Sequence, residues 1–249
     1  AGTRYRFRVA PDLAVPDPAS RAQAGDVSDA SLVVDPRAYR WRNPDWRGRP
    51  WREAIVYETH VGLCGGFRGL MERLPNLAEL GVTAIELMPI AEFPGERNWG
   101  YDGVLHYAPD SAYGSPDELK ALIDRAHELG LMMIQDVVYN HFGPEGNYLS
   151  SYASDFFRSD MHTPWGAATN FRNPVVRRFF IEGRRGANVT LPHKAAAYAL
   201  ASQHSEAAKR VGTANVLTLQ GDGTLAAHNT DGDGMVRDIT ERHSTDLRG

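Results

Sequence analysis

Between Ala54 and His141 the chain alternates two kinds of text, and that alternation limits the fold more than any other feature. AIVYETHVG, VTAIELMPI and LMMIQDVVYNH are short apolar runs rich in β-branched and aromatic residues, the composition of buried strands. Between them lie two stretches of helical spacing. GFRGLMERLPNLAELG repeats Leu70, Leu74, Leu77 and Leu80 and closes on Gly81. SPDELKALIDRAHELG opens on Ser115 as N-cap, with Pro116 in the first turn and Glu118 three residues after the cap, and closes on Gly130. Strand, helix, strand, helix, strand at this spacing predicts βαβ units and a parallel sheet. Catalytic and binding groups of such sheets sit at the carboxyl ends of the strands. That rule singles out Glu58, His60, Glu86, Asp136, Asn140 and His141.

The flanks read differently. Residues 1–50 start with the alternation Tyr5, Phe7, Val9, like the edge of a β-domain, then loosen into Pro-, Asp- and Arg-rich connectors. In WRNPDWRGRPW the tryptophans are either packed on the next domain or form a sticky aromatic surface. The opening Ala, entering the strand-like YRFRVA, suggests a truncated or processed end. Residues 142–172 read as a long loop, functional or a small subdomain. NPVVRRFFIE starts a helix with Pro174 at an early position. Beyond Glu182, GANVTLPHK predicts a strand running into a helix, AAAYALASQHSEAAKRVG one Ala-rich helix ending at Gly212, and TANVLTLQ with TLAAHNTD a hairpin about a GDG turn. GDGMVRDITERH is a candidate last helix.

Composition removes several functional classes. Hydrophobic residues are 42% and charged residues 23%, which fits a soluble globular protein. A net charge of −4 argues against a nucleic-acid footprint. Cys64 is the one cysteine, so no disulfide framework or Cys-based metal site can be built. No apolar run approaches the ~18 residues of a membrane span. No leader pattern opens the chain, and a cytoplasmic location is expected.

DVVYNHFGPEGNYL carries the strongest chemistry. Asp136, Asn140 and His141 beside Tyr139, with Trp99, Tyr101 and Asp102 of WGYDG, combine hydrogen-bonding groups with flat apolar rings. Polyhydroxylated ligands need that combination, although a bland polar rim reads the same way. Gln135 interrupts an apolar strand and needs a partner if buried.

The stretch from about Tyr5 to Glu182 resembles the α-amylase superfamily of glycoside hydrolases, in which WGYDG and DVVYNH are known motifs. The extended DVVYNHFGPEGNYL, with VPDPASR and VVDP upstream, is most similar to the malto-oligosyltrehalose trehalohydrolase family, with branching enzymes as near relatives. The resemblance implies the tail of a β-sandwich over 1–50 and the first part of a (β/α)8 barrel, about three strands, over 51–182. It implies an α-glucan or malto-oligosyltrehalose as substrate. Tyr101 would stack on the sugar at the cleavage subsite and His141 would hydrogen-bond the same sugar. Asp136 would hold the strand ends in place. Asn140 matches a calcium-binding position of many amylases, but this branch does not generally need the ion, so no metal and no cofactor are expected.

Retaining glycosidases need two carboxyl groups roughly 5 Å apart. By the same resemblance, the nucleophile would be an Asp in a G-x-R-x-D context after the fourth strand, and the acid/base a Glu after the fifth. The text after Trp51 covers only about half of the ~250 residues of a barrel. GMVRDITERH is a decoy, because Arg237 directly precedes Asp238. Glu58, Glu86 and Glu145 match no catalytic position and read as salt-bridging or loop carboxylates. The expected chain is therefore truncated and inactive, with apolar sheet edges that favour aggregation.

Residues 183–249 carry a second resemblance. GANVTLPHK, GTANVLT and HNTDGDGMVRD are similar to the substrate-binding domain of shikimate dehydrogenase. Lys194 and Asp231 would be its catalytic pair, and Asn188, Thr190 and Asn215 would contact the substrate. Val216 stands where that family often has Thr. No G-x-G-x-x-G pattern follows a strand, so NADP would bind only with a dinucleotide domain this sequence does not hold. Taken together, the expectation is an α/β chain: a partial barrel and a partial α/β substrate-binding domain joined at Glu182–Gly183 as a chimera rather than through a linker.

Overall fold

A computed structural model of the chain describes residues 1–181, 186–188, 194–220 and 224–229. These fall into two compact units. The first comprises Ala1–Ser154 and His162–Gly166, the second Asp155–Met161 and Ala167–Gly249.

The first unit begins with short antiparallel pieces: β1 (Arg4–Tyr5), β2 (Phe7–Ala10), β3 (Leu13–Val15) and β4 (Ser31–Leu32). β1 pairs with β4 and β2 with β3. The expected βαβαβ run follows as β5 (Val56–Thr59), α1 (Gly66–Glu79), β6 (Ala84–Leu87), then β7 (Ala91–Glu92), β8 (Leu105–Pro109), α2 (Pro116–Glu128) and β9 (Met132–Gln135). β5, β6 and β9 form one parallel sheet with β6 in the middle, in the register Glu58–Glu86–Ile134 and Thr59–Leu87–Gln135. The antiparallel pair β7 and β8 was not foreseen, because two and five residues with Pro109 at the end give little alternation to read.

Spacing explains the core. Phe67, Leu70 and Leu74 lie on one face of α1, and Leu122 and Ala126 on one face of α2. They close over Ile85 and Leu87 of β6, with Phe93 and Leu131 at the margins. Fully burying each such side chain stabilises by roughly 1.5–3 kcal/mol. α2 starts where the sequence says it should. Ser115 Oγ accepts from the Glu118 backbone, and the Glu118 carboxylate accepts from the Ser115 backbone at 2.7 Å, a reciprocal capping box.

The connector is tied to the back of α2 by one carboxylate. Asp124, fully buried, accepts from Tyr39 Oη at 2.8 Å and from the backbone of Arg42 and Asn43. Burial pushes its pKa up, but the bonds from Tyr39, Arg42 and Asn43 outweigh that and hold it below the usual carboxylate range. Trp46 stacks on His127 of α2 at 5.0 Å. The alternative for WRNPDWRGRPW thus divides by residue: Trp46 packs, whereas Trp41 and Trp51 are exposed.

β9 stops at Gln135, earlier than the sequence pattern suggests. Asp136–Asn140 follow without regular structure, so strand alternation does not govern their side chains. Gln135 is exposed, which removes its need for a buried partner. Segment 142–172 is more ordered than a loop. It holds α3 (Leu149–Tyr152), β10 (Phe157–Thr163) and β11 (Gly166–Thr169), and β10 and β11 form a two-stranded ribbon.

The second unit continues with α4 (Pro174–Ile181), β12 (Gly186–Asn188), α5 (Lys194–Leu200), β13 (Gln203–His204), α6 (Glu206–Val211), β14 (Val216–Leu219) and β15 (Leu225–His228). Its sheet has the order β12-β14-β15-β13. β14 is antiparallel to both β12 and β15, so β12 and β15 run the same way. β14 and β15 form the expected antiparallel pair. The single Ala-rich helix is corrected to two. Ser202 breaks it by bonding backbone to Leu225 O, β13 follows, and Ser205 re-caps the chain by accepting from Ala208 N. Gly212, at φ +64°, ends α6 in the left-handed region that glycine adopts without strain. GDGMVRDITERH lies outside the described residues.

Candidate active site

Three carboxylates stand at the carboxyl ends of the parallel strands. Glu58 and Glu86 occupy matched positions on β5 and β6, which places them side by side. Asp136 follows β9, its N–H bonded to Leu87 O at 2.9 Å. Glu86 is half-buried, and its pKa is raised first by burial and then by the charges of Glu58 and Asp136. Neither glutamate has an ion-pair partner among the described residues, so the salt-bridging role expected for them is not what the strand ends present. Glu145 is exposed in the loop after Gly143.

Tyr101 closes the site from the loop before β8. Its hydroxyl donates to Asp136 Oδ2 at 3.2 Å, and its ring is 37% exposed. Burial first, then Asp136, Glu58 and Glu86, raise the phenol pKa. The loop is locked from within: Asn98 Nδ2 donates to Asp102 Oδ2 at 2.6 Å, and Gly100 N donates to Asn98 Oδ1 at 2.8 Å. Gly100 adopts φ +94°, and a Cβ there would collide with Pro89 O. Only glycine fits between Trp99 and Tyr101.

His141 sits deeper than the sequence suggests, at 3% exposure. Its Nε2–H donates to Tyr101 O at 2.9 Å, which leaves Nδ1 as a buried acceptor with no protein partner. Burial lowers its pKa, against smaller opposing effects of the Tyr101 carbonyl and Asp102, so the ring is held neutral. Trp165, in the turn between β10 and β11, covers it at 4.1 Å with an interplanar angle of 12°. The Trp165 indole N–H donates to Asp102 Oδ1 at 2.7 Å. Nothing in the sequence marked Trp165, because the contact spans 24 residues and no local spacing links the two rings. Asn140 is half-buried in the bend between Asp136 and His141. Among the described residues no three His, Cys, Asp or Glu side chains converge as a metal cage. None of the described helices is long and apolar enough to cross a membrane.

In the second unit, Asn188 ends β12 opposite Val216, Asn215 immediately precedes β14, and Asn229 immediately follows β15. All three stand at one end of the sheet. Asn215 N donates to His228 O at 3.0 Å, and Asn229 Nδ2 donates to Thr213 Oγ1 at 3.1 Å. Lys194 is the first residue of α5, but its side chain, Thr190 and Asp231 lie outside the described residues.

A parallel sheet with acidic and aromatic groups at its carboxyl ends defines a class, and comparison with known proteins identifies it. The chain belongs to the α-amylase catalytic-domain family, whose profile matches residues 29–195. Its curated relatives include malto-oligosyltrehalose trehalohydrolase of Deinococcus radiodurans, 46% identical over 72% of this chain and 30% of that protein. A solved structure of a candidate α-amylase from Salmonella typhimurium matches with TM-score 0.71 and 55% identity over 73% of this chain and 32% of its own. Pullulanase from Paenibacillus barengoltzii, solved with maltohexaose and α-cyclodextrin, matches at TM-score 0.60 and 25% identity, covering 68% of this chain and 34% of that one. The chain spans about a third of the length of the curated relatives it matches. These likenesses concern the glycosidase-like part and bring no support to the shikimate-dehydrogenase-like resemblance or to a chimera.

Proposed function

We propose that this chain carries the sugar-holding half of an α-glucan hydrolase site, of the kind that releases trehalose from malto-oligosyltrehalose. The observation that supports it best is the Tyr101–Asp136 bond at 3.2 Å beside Glu86 and Glu58. A glucosyl ring laid on Tyr101 would meet a flat apolar face and, beneath it, acceptors for its hydroxyls. The same carboxylates give the site a negative potential, which favours the positive charge that develops at the anomeric carbon during glycoside cleavage. Asp136 acts here by orienting Tyr101, and His141 by fixing the Tyr101 backbone. The nucleophile and the acid/base of the family's reaction match no residue of this sequence. We therefore expect the 249 residues alone to bind α-glucan without cleaving it. A cytoplasmic location belongs to the same reading. The test is calorimetric titration with maltotetraose, alongside an assay for trehalose released from malto-oligosyltrehalose. Binding without release supports the proposal; no binding, or release at an enzyme's rate, sinks it.

A second reading covers 183–249, where Asn188, Asn215 and Asn229 stand together at one sheet end. β12, which precedes Lys194 in the sequence, and β15, which precedes Asp231, run the same way and both end there. We read this end as a shikimate-like polyol acid site that works as an NADP-linked oxidoreductase only with a dinucleotide domain. Saturation-transfer NMR with shikimate tests it. Signal that disappears in Lys194→Ala is the expected result, and no signal from the unaltered chain would remove the reading.

A further inference from the structure

The Ser111 hydroxyl has two neighbours that a single proton cannot both serve. Ser111 stands two residues past β8, and its Oγ lies 2.8 Å from Gly25 O and 3.0 Å from Glu92 Oε1. A hydroxyl carries one proton, and a carbonyl can only accept. If Glu92 is a carboxylate, both neighbours compete for that proton and one contact fails. If Glu92 keeps its own proton, both contacts are satisfied: Oε1–H donates to Ser111 Oγ, and Ser111 Oγ–H donates to Gly25 O. Glu92 Oε2 already accepts from Ser111 N at 2.9 Å, which assigns the proton to Oε1.

The surroundings favour the protonated form. Glu92 is 1% exposed at the end of β7. The charges acting on it are both negative: Asp110, just past β8, and Asp26, from the segment that Ser111 bonds. Burial and these charges push its pKa up to about 8. Asp110 differs, because the amides of Phe93 and Ala112 donate to its two oxygens at 3.1 and 2.9 Å, and burial raises it only to about 6. The phenol of buried Tyr113, raised by burial and then by Asp110, stays neutral. At neutral pH one carboxyl of the pair is therefore charged while the other holds a proton.

Gly25 and Asp26 form a lip of an open pocket of about 560 Å³, whose lining also holds Glu96, Ser111 and Ser115. The lip is anchored on one side. Val27 is buried with Val104, Leu105 and Ala108, and Ser28 O accepts from Arg6 at 2.7 Å. The lip itself is held by Ser111 and by Gly95 N, which donates to Asp26 Oδ2 at 3.0 Å.

We propose that the proton on Glu92 latches the lip of Gly25 and Asp26 to the pocket wall through Ser111, and that its loss releases the lip. When the proton leaves to solvent, the Ser111 hydroxyl turns to the new carboxylate and Gly25 O loses its donor. Ser111 is exposed, so water takes its place at Gly25. Glu92, Asp110 and Asp26 then carry three negative charges, which push Asp26 outward. The latch is closed at neutral pH and opens as pH climbs through about 8.

The experiment is NMR of the full chain labelled with carbon-13, titrated from about pH 6 to about pH 10 while the Glu92 carboxyl and the Gly25 carbonyl are followed. In the unaltered protein the two resonances should shift together, with a midpoint near pH 8. Glu92→Gln, whose amide donates to Ser111 as the protonated acid does, should abolish the Gly25 step. Ser111→Ala should abolish it too, while Glu92 still titrates. Asp110→Asn should move both midpoints down by removing a charge. Circular dichroism checks that the variants fold. A Gly25 resonance that stays still while Glu92 titrates, or a step that persists in Glu92→Gln, overturns the latch. A Glu92 carboxyl already ionised across the whole range overturns it as well. So does a step that persists in Ser111→Ala, which would carry the effect through space to Asp26.

Discussion

The indole of Trp165 lies flat on the imidazole of His141, 4.1 Å away, and bonds Asp102 through its N–H. The pair seals a histidine whose Nδ1 has no protein partner. Trp165→Ala should let water reach His141 and raise its pKa toward the ordinary value of about 6.5. Trp165→Phe should keep most of the depression. Because the folded pKa is lowered, the unfolded chain takes up this proton first. Stability should therefore fall as pH drops below about 6.5, and less so in Trp165→Ala. NMR titration of the histidine ring protons measures the first effect and denaturant unfolding the second.

Asp136→Asn removes a charge that Tyr101 and Glu86 both sense. Both pKa values should move down toward ordinary ones, though not fully, since burial is the larger cause for each. Ultraviolet titration of the phenolate band follows Tyr101. A Tyr101 titration unchanged by the substitution would contradict the contact.

Glu92 and Asp110 are buried carboxyls under the 22–29 segment. Burial, with the charges of Asp110 and Asp26, pushes Glu92 up to about 8, and burial pushes Asp110 up to about 6. A carboxyl whose folded pKa is raised costs stability as pH climbs from its unfolded value to its folded one, by at most about 1.4 kcal/mol per pH unit. Stability should therefore decline from about pH 4.5 toward pH 8. Glu92→Gln, which can still bond Ser111, should flatten that decline. Urea unfolding at a series of pH values gives the slopes.

Asp124→Ala leaves Tyr39, Arg42 and Asn43 without their buried acceptor, and should cost about 1–3 kcal/mol. The Trp46–His127 stack should loosen with it, seen as a red-shifted tryptophan emission before the main unfolding transition.

On β5, Val56 and Tyr57 are exposed beside an edge of the parallel sheet. Unpaired apolar edges recruit other chains. Light scattering should show concentration-dependent association, and Val56→Lys should reduce it.

Most of the first unit could be read in advance because its signals are local. Ser115, Pro116 and Glu118 specify a helix start within four residues, and Leu70 and Leu74 specify a buried face. The site was legible as residue types but not as geometry. Asp136 was read as part of a strand, yet β9 ends one residue earlier, and the Asp136 N–H bond to Leu87 O is followed by irregular chain. Trp165 was invisible because tertiary contact alone brings it to His141. The Ala-rich stretch misled for the opposite reason: high helix propensity over 194–211 was overridden by the Ser202 and Ser205 bonds.

Gly100 stands between two aromatic surfaces, in a backbone state closed to other residues. The backbone path from Trp99 to Tyr101 is therefore not adjustable side chain by side chain. The loop is a single rigid part whose course is set by the carbonyl of Pro89 rather than by its own side chains. Either ring could be exchanged on its own, but the glycine between them only by rebuilding the whole loop.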